Sequence, residues 1–456
     1  MDKEYLIHQR PMRALFTFAL PMMIGNLFQQ FYNMADSVVV GRFVGESALA
    51  AVGASYSLTN VFISIAIGGG VGASVVTSRY FGARNYGKMK RSVSTALLSF
   101  LALSVLLGGV GLFFSEEIMR LLNTPADILD TAAEYLDIYF MGLPFLFLYN
   151  VLSAMFNALG RSRIPLYLLI FSSVFNVGLD LFMVCVLHMG VAGAAWATLI
   201  AHGISAVLSF LIFLREMKSY KSERQPLFDG GELRTMTSIA LPSILQQSTV
   251  SIGMMLVQSV VNSFGVEMLA GYSAVSRVES ICVVPMSAFG NAISTYTAQN
   301  LGAGKRGRIR QGFRASMLLV LMFAVGLCVV LQLCYAPVMS LFLGDDGTPL
   351  ALQTGADYLR FISWFFALIG WKMTADGTLR GSGHMLPFTA ANLINLALRV
   401  VMAVTMAPQF GIGWIWYAVP IGWFVNFMIS FVAYRKFFRP GAEKKTSDGG
   451  TGSSQA

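Results

Sequence analysis

Two carboxylates sit inside long apolar stretches of this chain, Asp36 and Asp180. On insertion scales a charge at mid-membrane depth costs about 2.5–3.5 kcal/mol, so it is seldom kept without use. Tyr32 precedes Asp36 by four residues and Asn176 precedes Asp180 by four. That spacing puts each pair on one face of a helix. Carboxylates, an amide carbonyl and hydroxyls are hard oxygen donors, suited to Na⁺ or to a network that carries protons. A second carboxylate nearby also raises the proton affinity of the first, which favours proton exchange.

The elements that position these residues are membrane helices. Hydrophobic residues make up 55% of the 456 and charged residues only 12%, with mean hydropathy +0.65. A soluble chain carries about a quarter charged residues. Stretches long enough to cross the hydrocarbon occur near residues 14–40, 49–78, 93–114, 134–158, 164–187, 192–214, 234–263, 268–298, 315–337, 355–379, 385–407 and 412–434. They are too long and too evenly apolar for barrel strands. The first follows Lys3, Arg10 and Arg13, as a signal peptide would. It lacks a small-residue cleavage site and reads as a retained helix.

The net charge of +9 is explained by its distribution, and a nucleic-acid partner is not expected. With the N-terminus inside, the inner segments hold 26 Lys and Arg and the outer ones 2, Arg42 and Arg120. By the positive-inside rule both termini then lie in the cytoplasm of a plasma-membrane protein.

The chain repeats itself. Ala19-Leu20-Pro21 recurs as Ala240-Leu241-Pro242, Gly82-Ala83 as Gly302-Ala303 and Asn176 as Asn395, with offsets near 220. Six spans per half return the chain to the same side, so the halves are parallel repeats. The expected architecture is an all-α membrane protein of twelve transmembrane helices in two parallel six-helix repeats, forming a V-shaped pair of lobes. The first lobe occupies 1–214 and carries the cation site. A polar linker at 215–233 leads to the second lobe at 234–439, and a disordered cytoplasmic tail fills 440–456.

The repeat breaks at the acids. Val257 stands where Asp36 has its counterpart, and Arg399 matches Asp180. A cation site confined to one half of a duplicated protein points to an ion-coupled transporter. The second half has its own ionisable groups: Lys372 and Asp376, four apart, with Glu279 and Arg399. They are candidates for substrate contact or, for Lys372 with Asp376, an internal ion pair. Pro21 removes one backbone hydrogen bond from the first helix and is a candidate hinge; Pro242 occupies the matching place. Cys185, Cys282, Cys328 and Cys334 fall inside spans, without metal or disulfide spacing. Nucleophile motifs and nucleotide loops are absent, so neither an enzyme nor an ATP-driven pump is expected.

The opening ALPMMIGNLFQQFYNMADSVVVGRFVGESALAAVG resembles the first two helices of the multidrug and toxic compound extrusion family, bacterial branch. The connections RYFGARNYGK, ALGRSRIP and TLRGSGHMLP are similar to that family's cytoplasmic loops, and the likeness runs through residues 10–436. It implies that Tyr32, Asp36, Asn176, Asp180 and Thr198 line a cation site in the first lobe. Asp36, Asn176 and Asp180 would be ligands if the ion is Na⁺. It also implies transport roles for an acid on the tenth helix, here Asp376. The expected function is secondary efflux of cationic or amphipathic small molecules against H⁺ or Na⁺, by a monomer in the lipid bilayer, with no cofactor. The alternatives are a lipid-linked precursor flippase, which calls for a strongly cationic cavity, and a non-transporting scaffold or receptor.

Overall fold

Apolar runs of this length leave the backbone no partner but itself, so the chain folds as helices. The computed structural model describes residues 4–122, 124–343 and 348–439, with the side chains of 35–42, 46–49 and 57 outside the description. The expectations for the Asp36 side chain and for the tail at 440–456 therefore lie outside the described residues. The helices are α1 (Tyr5–His8), α2 (Pro11–Phe43), α3 (Glu46–Gly82), α4 (Tyr86–Leu121), α5 (Leu129–Ala158) and α6 (Arg163–Asp180), which runs into a π-helical turn (Leu181–Val186). Then come α7 (Gly190–Lys218), α8 (Gly230–Asn262), α9 (Val266–Gly302), α10 (Arg306–Leu343), α11 (Pro349–Ser363), α12 (Phe366–Ser382), α13 (Met385–Phe410) and α14 (Gly413–Phe437). No strand occurs among the described residues.

Each of the twelve expected stretches falls on one of these long helices, except that 355–379 is divided between α11 and α12. Among the described residues, nine helices are long and apolar enough to cross a membrane. The break between α11 and α12 has a local cause. The Arg360 carbonyl, which an unbroken helix would offer to the Trp364 N–H, accepts instead from Gln332 Nε2 at 2.7 Å and Ser363 Oγ at 2.9 Å. The Trp364 N–H turns to the Phe361 carbonyl, and the Phe365 N–H to that of Ile362. The result is a tightened turn that ends the helix. Large apolar side chains such as Leu106, Phe113, Leu333 and Leu386 are exposed on the outside of the helices.

The chain divides into two units, the first ending at Ser251 and the second starting at Ile252. The division falls inside α8, beyond the segment 215–233. In the first unit, the early turns of α8 pack closely on α3. A Cβ at Gly72 would come within 2.6 Å of the Met236 carbonyl and 2.7 Å of the Ala240 amide, so only glycine allows that approach. Asp229 accepts from the N–H groups of Gly231 and Glu232, capping α8, and pairs with Arg91 of α4 at 3.2 Å. The core lies between α3, α4 and α5, around Ala66, Met119, Leu136, Phe140, Leu143 and Phe147. The short α1 is buried through Tyr5, Leu6 and Ile7; Tyr5 Oη donates to the Gly160 carbonyl at 3.0 Å. Glu4, just before it, receives two hydrogen bonds from Arg84. That guanidinium holds the Glu4 carboxyl below the usual carboxylate range.

In the second unit, α9 and α12 meet along small residues: a Cβ at Gly377 or Gly381 would strike the carbonyls of Gly290 or Ser294. Ile309, Phe313, Ala375, Tyr434 and Phe438 pack as one apolar cluster of this unit. Phe313 stacks on Tyr434 with centroids 3.9 Å apart.

Candidate functional site

Three helices of the first unit bring the predicted polar residues together. Tyr32 comes from α2, Asn176 and Asp180 from α6 and Thr198 from α7. Asn176 and Asp180 are buried, at 1% and 0% exposure, in segments whose other side chains are almost all apolar. One amide orientation of Asn176 satisfies all its neighbours. Its nitrogen donates to Tyr32 Oη at 3.1 Å and to Asp180 Oδ2 at 3.0 Å, and its oxygen accepts from the Thr198 N–H at 3.1 Å. The opposite orientation yields only a long bond to Thr198 Oγ1, at 3.4 Å. The buried amide thus fixes the place of the carboxylate and joins three helices through one side chain.

Asp36 lies one turn beyond Tyr32 on α2. Its side chain is outside the described residues. Pro21 sits within α2, which stays helical through it. Among the described residues no three His, Cys, Asp or Glu side chains gather into a metal-binding group. The donors assembled here are a carboxylate, an amide oxygen and hydroxyls, a set that fits a hard monovalent cation or a proton and no softer metal.

Two features of this region were not singled out in the sequence. His202 lies one turn beyond Thr198 on α7, and its Nδ1 is 2.9 Å from the Thr198 carbonyl. Its i+4 relation to Thr198 was the available signal. The π-turn begins at the residue after Asp180, with the Leu187 N–H reaching the Phe182 carbonyl. Such turns frequently mark functional positions in helices. No residue pattern in LFMVCV announces one.

In the second unit the candidates separate into two groups. Lys372 and Asp376 form an ion pair on α12, with Nζ 3.1 Å from Oδ2. Lys372 also donates to Asn392 Oδ1 at 3.0 Å, Asn392 Nδ2 donates to Asp376 Oδ2 at 3.2 Å, and Ser430 Oγ donates to Asp376 Oδ1 at 2.6 Å. Asn392 and Ser430 were missed because nothing in the sequence separates them from other polar residues in spans. Glu279 and Arg399 lie elsewhere: Glu279 accepts from Tyr358 Oη at 3.0 Å. At Asn395, the repeat of Asn176, the carbonyl oxygen is buried without a partner.

The matched halves find their counterpart in a known family. The MatE family profile matches twice, at residues 21–182 and 242–405. This chain belongs to the MatE family. The two matches fall on the two repeats, and MatE proteins are transporters, not enzymes. The chain is accordingly a multi-pass, all-α membrane transporter. It is 29% identical to the probable multidrug resistance protein YpnP of Bacillus subtilis, over 93% of this chain and 95% of that protein. It is 25% identical to the probable multidrug resistance protein NorM of Thermotoga maritima, over 88% and 87%. Its fold is that of MATE crystallised in the bent conformation, with TM-score 0.89, 23% identity and coverage of 98% and 99%. It also matches a MOP superfamily transporter from Pyrococcus furiosus, with TM-score 0.88, 22% identity and coverage of 96% and 98%.

Proposed function

We propose that this MatE protein is a plasma-membrane secondary transporter that exports cationic or amphipathic small molecules by H⁺ or Na⁺ antiport. The observation that carries the proposal is the meeting of Tyr32, Asn176, Asp180 and Thr198 from three helices, one turn from Asp36. The names of the relatives, multidrug resistance proteins among them, support the substrate class. The 26-to-2 distribution of Lys and Arg supports cytoplasmic termini.

The coupling follows from charge. Asp36 and Asp180 ionised and empty leave net negative charge at membrane depth, which attracts a cationic substrate. A proton or Na⁺ entering the site neutralises that charge and releases the attraction. Asn176 keeps the Asp180 carboxylate in one position throughout, so the two cargoes compete for the same oxygens. Strict competition of this kind, with alternating access, makes influx of the ion drive efflux of the substrate. Pro21 lowers the cost of bending α2 as Asp36 changes its charge.

The test is efflux of ethidium from proteoliposomes with Na⁺ and proton gradients imposed separately. Wild-type protein should respond to one gradient, and Asp36→Asn, nearly isosteric and cheaper to bury, should fold normally and lose gradient-driven efflux. A well-folded Asp36→Asn protein with full efflux overturns the coupling role.

A further inference from the structure

Arg399 lies within α13, a helix apolar and long enough to span a membrane. A guanidinium at such depth is costly and is retained with a partner or for a use. Yet among the described residues Arg399 has no hydrogen bond and no ion-pair contact, and its Nε–H is buried and unmatched. Glu279 is near enough for the two charges to interact, but its carboxylate is engaged by the Tyr358 hydroxyl instead. Glu279 therefore leaves the arginine donors unfilled.

Two further polar atoms of this region are also buried without partners: Trp416 Nε1–H on α14, and Asn395 Oδ1, one turn before Arg399. Gly422 lets α14 pack closely against Asn395 and Arg399. A Cβ at that position would collide with Asn395 Oδ1 and come within 3.1 Å of Arg399 Cγ. The same region holds three parallel rings from three helices. Tyr272 of α9 stacks on Tyr358 of α11 at 5.9 Å and 4°, and Tyr358 stacks on Trp416 at 5.4 Å and 11°. Both tyrosines lie within electrostatic reach of Arg399.

We propose that this cluster is a binding site for planar aromatic carboxylates. The Nε–H of Arg399 and the indole N–H of Trp416 donate to the two carboxylate oxygens, and the ligand's ring packs parallel to the aromatic stack. Water would fill the N–H groups but would not offset the guanidinium charge. A dianionic phosphate would overshoot a single arginine. The repeat gives the site its logic: Asn176 and Asp180 recur as Asn395 and Arg399, so the same helix position offers a negative group in one half and a positive one in the other. The site rests on the transport reading above and adds to it an anionic substrate class.

The test measures binding of 2-naphthoate, and of the uncharged 2-naphthamide as its isostere, to the full chain in lipid nanodiscs. Wild-type protein should prefer the acid by about tenfold, the scale of one charge-assisted contact. Arg399→Gln should reduce the preference to near unity, and Arg399→Lys should restore only part of it, because lysine lacks the planar donor edge. Trp416→Phe keeps the ring and loses the N–H, and should reduce the preference a few-fold. Equal binding of acid and amide to the wild type overturns the site. So does an undiminished preference in Arg399→Gln, or, should that variant misfold, in Trp416→Phe. Ethidium efflux measured in parallel separates the two proposals. Efflux without acid preference overturns this site alone, whereas acid preference without efflux of any compound overturns the transport reading and leaves the site.

Discussion

The Lys372–Asp376 pair allows a thermodynamic cycle whose outcome the geometry sets in advance. Both side chains are nearly inaccessible, at 5% and 3% exposure. Changing Lys372→Met leaves the Asp376 carboxylate with two donors, Ser430 Oγ at 2.6 Å and Asn392 Nδ2 at 3.2 Å. Breaking a buried pair costs about 3–5 kcal/mol. With two donors remaining, the loss should be about 3 kcal/mol, the lower end of that range. Asp376→Leu strands the ammonium on Asn392 Oδ1 alone and should cost at least as much. The double variant strands no charge. Its losses are three hydrogen bonds, from Ser430 and Asn392 to Asp376 and from Lys372 to Asn392, about 3 kcal/mol together, and Asn392 keeps its bond to the Phe388 carbonyl. The singles thus sum to about 6 kcal/mol and the double to about 3, a coupling of about 3. A chain unfolded within the membrane finds other polar partners, which cuts such values by roughly half. The expected coupling is therefore about 1.5 kcal/mol, read from unfolding in mixed detergent micelles by circular dichroism. A coupling below about 0.5 kcal/mol, or a double variant no more stable than Lys372→Met, refutes the ion pair as a stabilising unit. Efflux by the same variants separates structure from transport: a stable but inactive double variant assigns Asp376 to the cargo pathway.

Two further outcomes are expected. If the cation is bound in the first half alone, Asn176→Ala and Asp180→Asn should strongly weaken cation binding to the purified protein, and Asn395→Ala should do far less; equal losses would mean a structural polar network in each half. At the N-terminus, a carboxyl held below its unfolded value adds stability above that value, and the gain disappears as pH falls through the folded one. Burial of α1 by the Glu4–Arg84 pair should therefore persist at neutral pH and fade below about pH 4.5, the ordinary Glu value. Amide exchange at Tyr5–His8 that is insensitive to acid, or unchanged in Arg84→Ala, contradicts this.

The number and order of the membrane helices were legible because hydropathy over about 20 residues is a property of composition. The duplication was legible because short motifs recur at one offset. The break at Trp364 was not, because it depends on Gln332 reaching across from α10 to take a carbonyl on α11. Periodicity within one segment carries no trace of a hydrogen bond from another. In the first-half site, the i,i+4 pairs revealed which faces carry the polar groups. The orientation of the Asn176 amide, which fixes the Asp180 carboxylate, emerges only when Tyr32 and Thr198 arrive from two other helices. The π-turn after Asp180 belongs with these cases, since its apolar sequence suits an α-helix equally well.

The two halves share a backbone plan and differ in where charge is left open. In the first, the Asp180 carboxylate is held by the Asn176 amide, a neutral donor. In the second, the acid on α12 is closed by a covalently tethered cation, the Lys372 ammonium, which stays with the protein. A mobile ion competing there must displace a tethered one, whose effective concentration is high. Duplication alone would have produced two equivalent ion sites and two ways for the gradient to leak without work. Under the proposed antiport, Val257, Arg399 and Lys372 in the second half would leave the first half as the one ion site. Under that proposal, coupling would depend on one occupancy, that of the Asp36 and Asp180 site.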